Sequence, residues 1–134
     1  METRDYMTPR PVTVPPSLGA RQAFETMQAL GIRHLPVLDD QGVLVGMVSD
    51  RDLRRPAWVD GDAGEHFALT DQLTVADVMS REVTVIRAEA PLVEAAMLFV
   101  ERQFGALPVV DGGGEVVGVL STVDLLEALV DGRD

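Results

Sequence analysis

The sequence contains no cysteine, only two histidines and no long apolar run. Without cysteine the chain has neither disulfide bonds nor thiol chemistry, and two histidines disfavour a transition-metal site. No stretch approaches the ~20 apolar residues that cross a bilayer, and the N-terminus lacks the charged and then apolar layout of an export signal. We therefore expect a cytoplasmic protein with no metal ion and no membrane partner.

Positive charge is also scarce, because 22 Asp and Glu residues outnumber 11 Lys and Arg residues and the net charge is −11. Nucleic acid demands a basic surface, so this balance disfavours DNA or RNA as a partner. A small anionic ligand remains compatible with the chain where cations cluster locally. Two such clusters occur, one at Arg33 and His34 and the other at Arg51, Arg54 and Arg55.

The chain repeats itself after 72 positions. The repeated positions include Met7 and Met79, the Leu-Pro-Val sequences at 35–37 and 107–109, and the segments 46–52 and 118–124. Self-similarity at a fixed period indicates two copies of one supersecondary unit, neither of which buries its apolar face alone. We call residues 1–57 copy one and residues 74–134 copy two, with a connecting linker at 58–73.

The two copies show the same order of predicted elements. A short strand at 12–14 or 83–86 precedes an amphipathic helix, and a hairpin then leads into a second helix. The glycine run at 112–114 falls between the hairpin strands, so we interpret it as a turn that uses positive φ angles rather than as a phosphate loop. The predicted fold class is α+β, with two β-α-β-β-α units related by pseudo-twofold symmetry.

A serine and an aspartate three residues later follow the hairpin in both copies, as Ser49 and Asp52 and as Ser121 and Asp124. One interpretation is a capping box, in which both side chains satisfy amides of the first helical turn. The other is a ligand site, because a helix N-terminus suits phosphate and a carboxylate accepts hydrogen bonds from the vicinal hydroxyls of a ribose. The two interpretations are compatible, since serine can cap while aspartate binds.

Arg33 and His34, just before the Leu-Pro-Val strand of copy one, also have two interpretations. They either complement the negative end of a helix dipole or clamp a phosphate, with arginine as a planar fork and histidine as a pH-sensitive donor. Copy two has Gly105 and Ala106 at these positions, so the two sites are predicted to differ. No catalytic residue is predicted, because there is no cysteine nucleophile and neither histidine has a partner indicated by the sequence.

The tandem arrangement resembles a pair of cystathionine-β-synthase-type (CBS) domains, also called a Bateman module. The resemblance covers about residues 5–130. In copy one it is carried by Met-Thr-Pro at 7–9, Arg-His-Leu-Pro-Val at 33–37 and Gly-Met-Val-Ser-Asp-Arg-Asp at 46–52. In copy two it is carried by Asp-Val-Met at 77–79, Ala-Leu-Pro-Val at 106–109 and Gly-Val-Leu-Ser-Thr-Val-Asp at 118–124.

The resemblance implies that an adenosine compound binds in the cleft between the two copies, without any covalent cofactor. The compound would be AMP, ADP or ATP, or alternatively S-adenosylmethionine or NAD. Asp52 and Asp124 would hold ribose hydroxyls, and Ser49 and Ser121 would lie near phosphate. The adenine edge would meet main-chain groups around the following residues: Thr13, Val14, Thr84 and Val85.

The resemblance also ranks the two pockets. Arg33 and His34 would reach the phosphate of the pocket that contains Asp124, which is therefore predicted to be the better nucleotide site. The pocket of Asp52 would lack these cations and rely on Arg51.

Family resemblance further implies a homodimer formed through helices and an unidentified regulated protein partner. Related modules usually regulate an attached enzyme, channel or transporter, whereas no room remains here for such a domain. We therefore expect a stand-alone regulatory, energy-sensing module without catalytic activity. The alternative is a ligand-independent dimerisation or interaction scaffold, in which serine and aspartate only cap helices.

Overall fold

The computed structural model describes residues 1–54, 72–102 and 104–132, so the predicted linker lies almost wholly outside the described residues. The chain divides into two compact units. The first unit is Val12–Val83, and the second combines Met1–Pro11 with Thr84–Asp134. Within the described ranges, no helix has both the length and the apolar composition to cross a membrane.

The secondary structure follows the predicted α+β class. The strands are β1 (Thr8–Pro9), β2 (His34–Leu38), β3 (Leu44–Ser49), β4 (Ile86–Arg87), β5 (Ala106–Val110) and β6 (Val116–Ser121). The helices are α1 (Ala20–Leu30), α2 (Val75–Val78), α3 (Leu92–Arg102) and α4 (Thr122–Asp131), and a short 3-10 helix spans Thr3–Asp5. Residues 50–54 are also helical. Both predicted hairpins, β2–β3 and β5–β6, are confirmed.

The sheet of the second unit has four strands in the order β1-β6-β5-β4. β1 and β5 each pair antiparallel with β6, and β4 runs parallel to β5. The first unit has the same arrangement in reduced form, because Val14 bridges Val37 beside β2 and Ser80 bridges Met47 beside β3. Shifted by 72 positions, these bridges become the strand pairs Ile86–Val109 and Thr8–Val119.

The leading segments of the two copies are exchanged between the units. β1 belongs to copy one in sequence but pairs with β6 of copy two. Conversely, α2 and Ser80 belong to copy two but lie in the first unit. The structural units therefore differ from the repeat boundaries at 57 and 74, because each sheet takes one edge from the other copy.

Two glycines allow the leading segments to approach the central strands. A Cβ atom added to Gly118 would lie 2.9 Å from the carbonyl oxygen of Thr8, and one added to Gly46 would lie 3.0 Å from that of Ser80. In both places a methionine side chain, Met7 or Met79, crowds the same position. A side chain at either glycine would therefore push the edge segment away.

Two predicted strands are wrong in extent. Residues 12–14 form only the bridge at Val14, and the strand predicted at 83–86 begins at Ile86. The prolines at 11 and 15 flank the first segment, and proline cannot donate a hydrogen bond to a strand ladder. The strand β1 was not predicted from the sequence, since its pairing partner lies in the other copy.

Each unit has its own apolar core, built from equivalent positions. In the first unit Ala23 and Met27 of α1 are buried with Val37 of β2. In the second unit the residues 72 positions later, on α3 and β5, are buried in the same way. The turns are also equivalent, because Gly42 and Gly114 have φ angles of 80° and 83°. The run at 112–114 is therefore a hairpin turn, as predicted.

Candidate functional site

Ser121 and Asp124 form a reciprocal cap at the start of α4. The backbone N–H of Asp124 donates to Ser121 Oγ at 3.2 Å, and the backbone N–H of Ser121 donates to Asp124 Oδ2 at 2.7 Å. Because β6 ends at Ser121 and α4 begins at the next residue, the strand delivers the serine directly to the capping position. The capping interpretation is confirmed here, and such a cap contributes about 1 kcal/mol.

Ser49 and Asp52 repeat this arrangement in copy one. The N–H of Asp52 donates to Ser49 Oγ at 3.1 Å, and the N–H of Ser49 donates to Asp52 Oδ2 at 2.9 Å. β3 ends at Ser49, and the helical residues start immediately after it. All four side chains of the two caps are half-buried.

Each cap uses one oxygen of its aspartate. Among the described residues, no protein group donates a hydrogen bond to Oδ1 of Asp52 or of Asp124. An ionised carboxylate offers about four acceptor sites over its two oxygens, so each aspartate can accept from a ligand while it caps. The positive end of the helix dipole at the same place favours an anionic group. The site can therefore bind a molecule that carries both hydroxyls and negative charge.

The hairpin register places Arg33 and His34 beside the cap of copy one. His34 lies opposite Ser49 in the β2–β3 ladder, and the N–H of Asp50 donates to the carbonyl oxygen of Arg33 at 2.9 Å. The sequence analysis did not single out Asp50. The antiparallel register could have identified it, because a pair between 34 and 49 brings 33 next to 50.

Burial lowers the pKa of the His34 imidazole below its ordinary value of 6.5. The carboxylates of Asp50 and Asp52 act in the opposite direction, and the charge of Arg33 lowers the pKa further. The imidazole is therefore predominantly neutral at neutral pH. A phosphate that reached it would favour the protonated form.

Copy two differs from copy one at these positions, as predicted. Ala106 lies opposite Ser121 in the β5–β6 ladder, and the N–H of Thr122 donates to the carbonyl oxygen of Gly105 at 3.3 Å. The backbone geometry is thus preserved without the arginine and histidine side chains. The predicted contact of Arg33 and His34 with the Asp124 pocket stays a prediction.

The residues predicted to meet adenine lie just before or within the parallel edge of each sheet. Val14 is buried, its N–H donates to Pro36 at 3.1 Å, and its carbonyl oxygen accepts from Leu38 at 3.0 Å. Thr13 and Thr84 are half-buried and Val85 is exposed. After the shift of 72 positions the residue equivalent to Val14 is Ile86, which pairs with Val109. Thr84 and Val85 therefore both lie just before the strand β4. Their contact with adenine stays a prediction.

The second cation cluster lies on helical residues 50–54. The guanidinium of Arg54 lies 5.4 Å from the centre of the Phe24 ring, so it packs on its own unit. Arg51 is exposed, and its role beside Asp52 stays a prediction, while Arg55 lies outside the described residues. In the part of the chain that the structure describes, no group of three His, Cys, Asp or Glu residues could hold a metal ion.

The family model of the CBS domain matches the chain twice, at residues 4–57 and 75–131. The chain belongs to the CBS-domain family. The two matches follow the sequence repeats, so the predicted tandem CBS pair is confirmed. The caps of Ser49 and Ser121 are thus equivalent features of two CBS motifs.

Other CBS proteins match along most of this CBS pair. CBSX2 of Arabidopsis thaliana is 32% identical over 146 residues, which cover 92% of this chain and 61% of CBSX2. YhcV of Bacillus subtilis is 32% identical over 122 residues, covering 91% of this chain and 81% of YhcV. Inosine-5'-monophosphate dehydrogenase of Mycobacterium leprae is 30% identical over 90% of this chain, but the match covers only 21% of that enzyme.

Crystal structures of CBSX2 share the fold. One has a TM-score of 0.85 and 34% identity, covering 97% of this chain and 94% of that chain. Another, of CBSX2 in complex with AMP, has a TM-score of 0.82 and 32% identity, covering 99% of this chain and 98% of that chain. These structures confirm the α+β CBS-pair fold.

Proposed function

We propose that this CBS pair is a regulatory module that binds an adenosine-containing nucleotide of the AMP, ADP or ATP class and catalyses no reaction. Two observations support the proposal. CBSX2, which is 32% identical over nearly the whole chain, has been crystallised in complex with AMP. Both motifs of this chain also carry an aspartate at a helix start whose second carboxylate oxygen is available to a ligand.

The availability of Oδ1 on Asp124 is the observation on which the proposal depends. A ribose has two adjacent hydroxyl donors, and a carboxylate fixed at one oxygen presents the other in a defined direction. Hydrogen bonds to a charged group contribute about 1.5–3 kcal/mol each, which is enough to make Asp124 a determinant of affinity. The phosphate would then lie toward the helix N-terminus, where N–H groups and the dipole favour negative charge.

A second feature concerns the phosphate. Copy one carries the charged guanidinium of Arg33 and the predominantly neutral imidazole of His34, whereas the corresponding residues of copy two are glycine and alanine. We expect Arg33 and His34 to act on the phosphate of the nucleotide held by Asp124, with Asp52 forming a weaker site. A nucleotide held in this way would favour one conformation of the module and change a surface read by a partner protein. The partner protein and the cytoplasmic location stay predictions.

The test is a binding measurement with substitutions that keep the cap. Asparagine at 124 can still accept the N–H of Ser121 but replaces the second carboxylate oxygen by an amide donor. We expect AMP, ADP or ATP to bind the wild-type protein in isothermal titration calorimetry and to bind Asp124→Asn about tenfold to a hundredfold more weakly. Asp52→Asn should have a smaller effect, because its pocket is predicted to be weaker.

The chain offers a matched control. Asp77 caps α2 in the same manner, since its Oδ2 accepts from the Thr74 N–H at 2.8 Å, and no ligand role is proposed for it. Asp77→Asn should leave the nucleotide affinity unchanged. An Asp124→Asn affinity equal to that of wild type would contradict the assignment of this residue.

The same titrations distinguish the competing function. A scaffold that uses serine and aspartate only as caps would bind none of AMP, ADP, ATP, NAD and S-adenosylmethionine. That result, obtained with protein freed of bound ligand, would favour the scaffold function over the sensor function. Conversion of the nucleotide during incubation would contradict the absence of catalysis.

A further inference from the structure

All sulfur atoms of the chain belong to methionine, because it contains six methionines and no cysteine. Two of the six, Met7 and Met79, stand directly before the edge residues that the copies exchange, Thr8 and Ser80. Peroxides oxidise methionine to its sulfoxide, which turns an apolar thioether into a polar group and can be reversed by reductases. Oxidation of these two methionines would therefore act directly on the exchanged edges.

The sulfur atoms of both methionines lie against a glycine of the neighbouring strand. A Cβ atom added to Gly118 of β6 would meet Sδ of Met7 first and Cγ of Met7 next, at 2.9 Å. Sδ of Met79 takes the same place over Gly46 of β3. Because the sulfur itself is the contacting atom, an oxygen bonded to it lies beside this contact and not at the free end of the side chain.

The two contacts differ in their exposure to solvent. Met7 is half-buried, whereas Met79 is only 9% exposed and belongs to the apolar core of the first unit. Met47, which bridges Ser80 in the first unit, is also 9% exposed. An oxidant dissolved in water therefore reaches the sulfur of Met7 more readily than that of Met79. Of the two exchanged edges, the one that contains β1 is the more sensitive to oxidation.

The edge strand β1 has few contacts to spare. Only Thr8 and Pro9 pair with β6, and proline has no N–H group to donate. The N–H of Arg10 donates to the carbonyl oxygen of Val117 at a distance of 3.3 Å. The Met7 side chain packs against the apolar core of the second unit. This packing is therefore a substantial part of what holds β1 in place.

We propose that Met7 is a reversible oxidation site whose sulfoxide releases β1 from β6. The oxidant is hydrogen peroxide or an organic peroxide. A lone pair of Sδ attacks one peroxide oxygen, the O–O bond breaks and an S–O bond forms. With hydrogen peroxide, the departing hydroxide takes the proton of the new S–OH group and leaves as water. The sulfur loses two electrons and the peroxide gains them. In the reverse reaction a dithiol is oxidised to a disulfide, and the sulfoxide oxygen leaves as water.

The surroundings of Met7 explain why the sulfoxide would release the strand. A sulfoxide oxygen accepts hydrogen bonds, and burying such a group without a donor costs free energy. The carbonyl oxygen of Thr8 borders the same position over Gly118, but it is an acceptor too and cannot pair with the new oxygen. Outward movement of the segment lets the sulfoxide oxygen meet water instead.

Release of β1 would also reach the candidate nucleotide site. β6 ends at Ser121, whose N–H donates to Asp124 at 2.7 Å. Without β1 this strand becomes the edge of its sheet, with unpaired backbone groups. We therefore expect oxidation of Met7 to lower the nucleotide affinity of the Asp124 site. This last step rests on the proposed function, whereas the oxidation site and the release of β1 do not.

The first experiment treats the protein with hydrogen peroxide in the absence of nucleotide. Peptide mapping by mass spectrometry should show faster oxidation of Met7 than of Met79. Amide hydrogen exchange should then accelerate about tenfold in β6, with little change in β3. Met7→Leu should keep its slow exchange after the same treatment. Met97→Leu is the matched control, because Met97 is 55% exposed and its loss should leave the response of wild type unchanged.

The second experiment imitates or reverses the sulfoxide. Met7→Gln places a polar group at the contact without any oxidant and should accelerate exchange in β6. Met97→Gln, on an exposed part of α3, should not. A methionine sulfoxide reductase supplied with a dithiol should restore slow exchange to the oxidised wild-type protein.

Three outcomes would overturn the proposal: oxidation of Met79 ahead of Met7, unchanged exchange in β6 after complete oxidation of Met7, or equal acceleration in peroxide-treated Met7→Leu. Calorimetry with AMP separates the proposal from the proposed function. A reduced wild-type protein that binds no nucleotide contradicts the sensor alone, since hydrogen exchange still decides the oxidation site. Equal AMP affinity of reduced and oxidised protein, with β6 loosened, contradicts only the effect on the nucleotide site.

Discussion

Asp124 and Ser121 cap α4 through two hydrogen bonds that run in opposite directions, at 2.7 Å and 3.2 Å. One residue thus stabilises the helix with one carboxylate oxygen and can hold a ligand with the other. A ligand that pulled the carboxylate away from the Ser121 N–H would weaken the cap. Stability and affinity therefore have to be measured together for every substitution at this helix start.

Ser121→Ala removes the hydroxyl that accepts the N–H of Asp124. We expect the free energy of unfolding to fall by about 1 kcal/mol, measured by urea denaturation without nucleotide. Ser17→Ala is the control, because Ser17 is exposed and precedes α1. Its effect should stay within about 0.5 kcal/mol. Equal stability of Ser121→Ala and wild type would show that the cap does not contribute.

Gly118→Ala tests the close approach of β1 to β6. The new methyl group would lie 2.9 Å from the carbonyl oxygen of Thr8, so we expect a loss of about 1–3 kcal/mol, as for other overpacked sites. Gly46→Ala should behave alike in the first unit. Gly113→Ala is the matched control, since its nearest neighbour is the Asp111 side chain at 3.5 Å. A stable Gly118→Ala protein with β1 in place would refute this account.

His34 should make stability depend on pH. Burial holds the pKa of His34 in the folded state below the 6.5 of the unfolded state, so the unfolded chain binds more protons between these two values. Stability is then lost as the pH falls below about 6.5. His34→Gln should show a flatter dependence in urea denaturation between pH 7.5 and 5.5. Parallel curves for wild type and His34→Gln would contradict the lowered pKa of the half-buried imidazole.

Removal of residues 1–11 should weaken copy two more than copy one. The deletion strips β1 from β6 and removes the hydrogen bonds of the Thr3 and Arg4 N–H groups to Ala90 and Ala88, both of 2.9 Å. We expect amide hydrogen exchange to accelerate in β6 (Val116–Ser121) more than in the equivalent strand β3 (Leu44–Ser49). Uniform acceleration in both strands would mean that the segment stabilises the chain as a whole.

Local features of the fold could be predicted from the sequence. The hairpins and α4 follow from apolar patterns and turns that lie within about twenty residues of one another. The repeat indicated the CBS pair because Ser49 and Ser121 occupy equivalent places after a strand. The cap of Asp124 was one of two interpretations, since the same spacing serves both capping and ligand binding.

Features that depend on distant pairing could not be predicted. The partner of Thr8 is Val119, more than a hundred positions away, and no local pattern indicates it. The segment at 12–14 lies between two prolines and contains β-branched residues, so its sequence predicts a strand. In the structure only Val14 pairs, in a bridge with Val37. Likewise, the spacing of apolar residues on α3 predicts a single core-facing side, and Ala95 and Phe99 do lie in the core of the second unit. Only the side-chain exposures of the structure show that Met97 and Val100 lie outside that core.

The exchange of leading segments has a consequence for how such a chain could have arisen. In this chain the leading segment of each motif pairs with the hairpin of the other motif, β1 with β6 and Ser80 with Met47 of β3. Two identical one-motif polypeptides that paired in this way would each place its leading segment on the hairpin of the other, as in a domain-swapped dimer. Gene duplication and fusion would have converted that exchange into a single covalent chain, in which each half still supplies an edge segment to the sheet of the other.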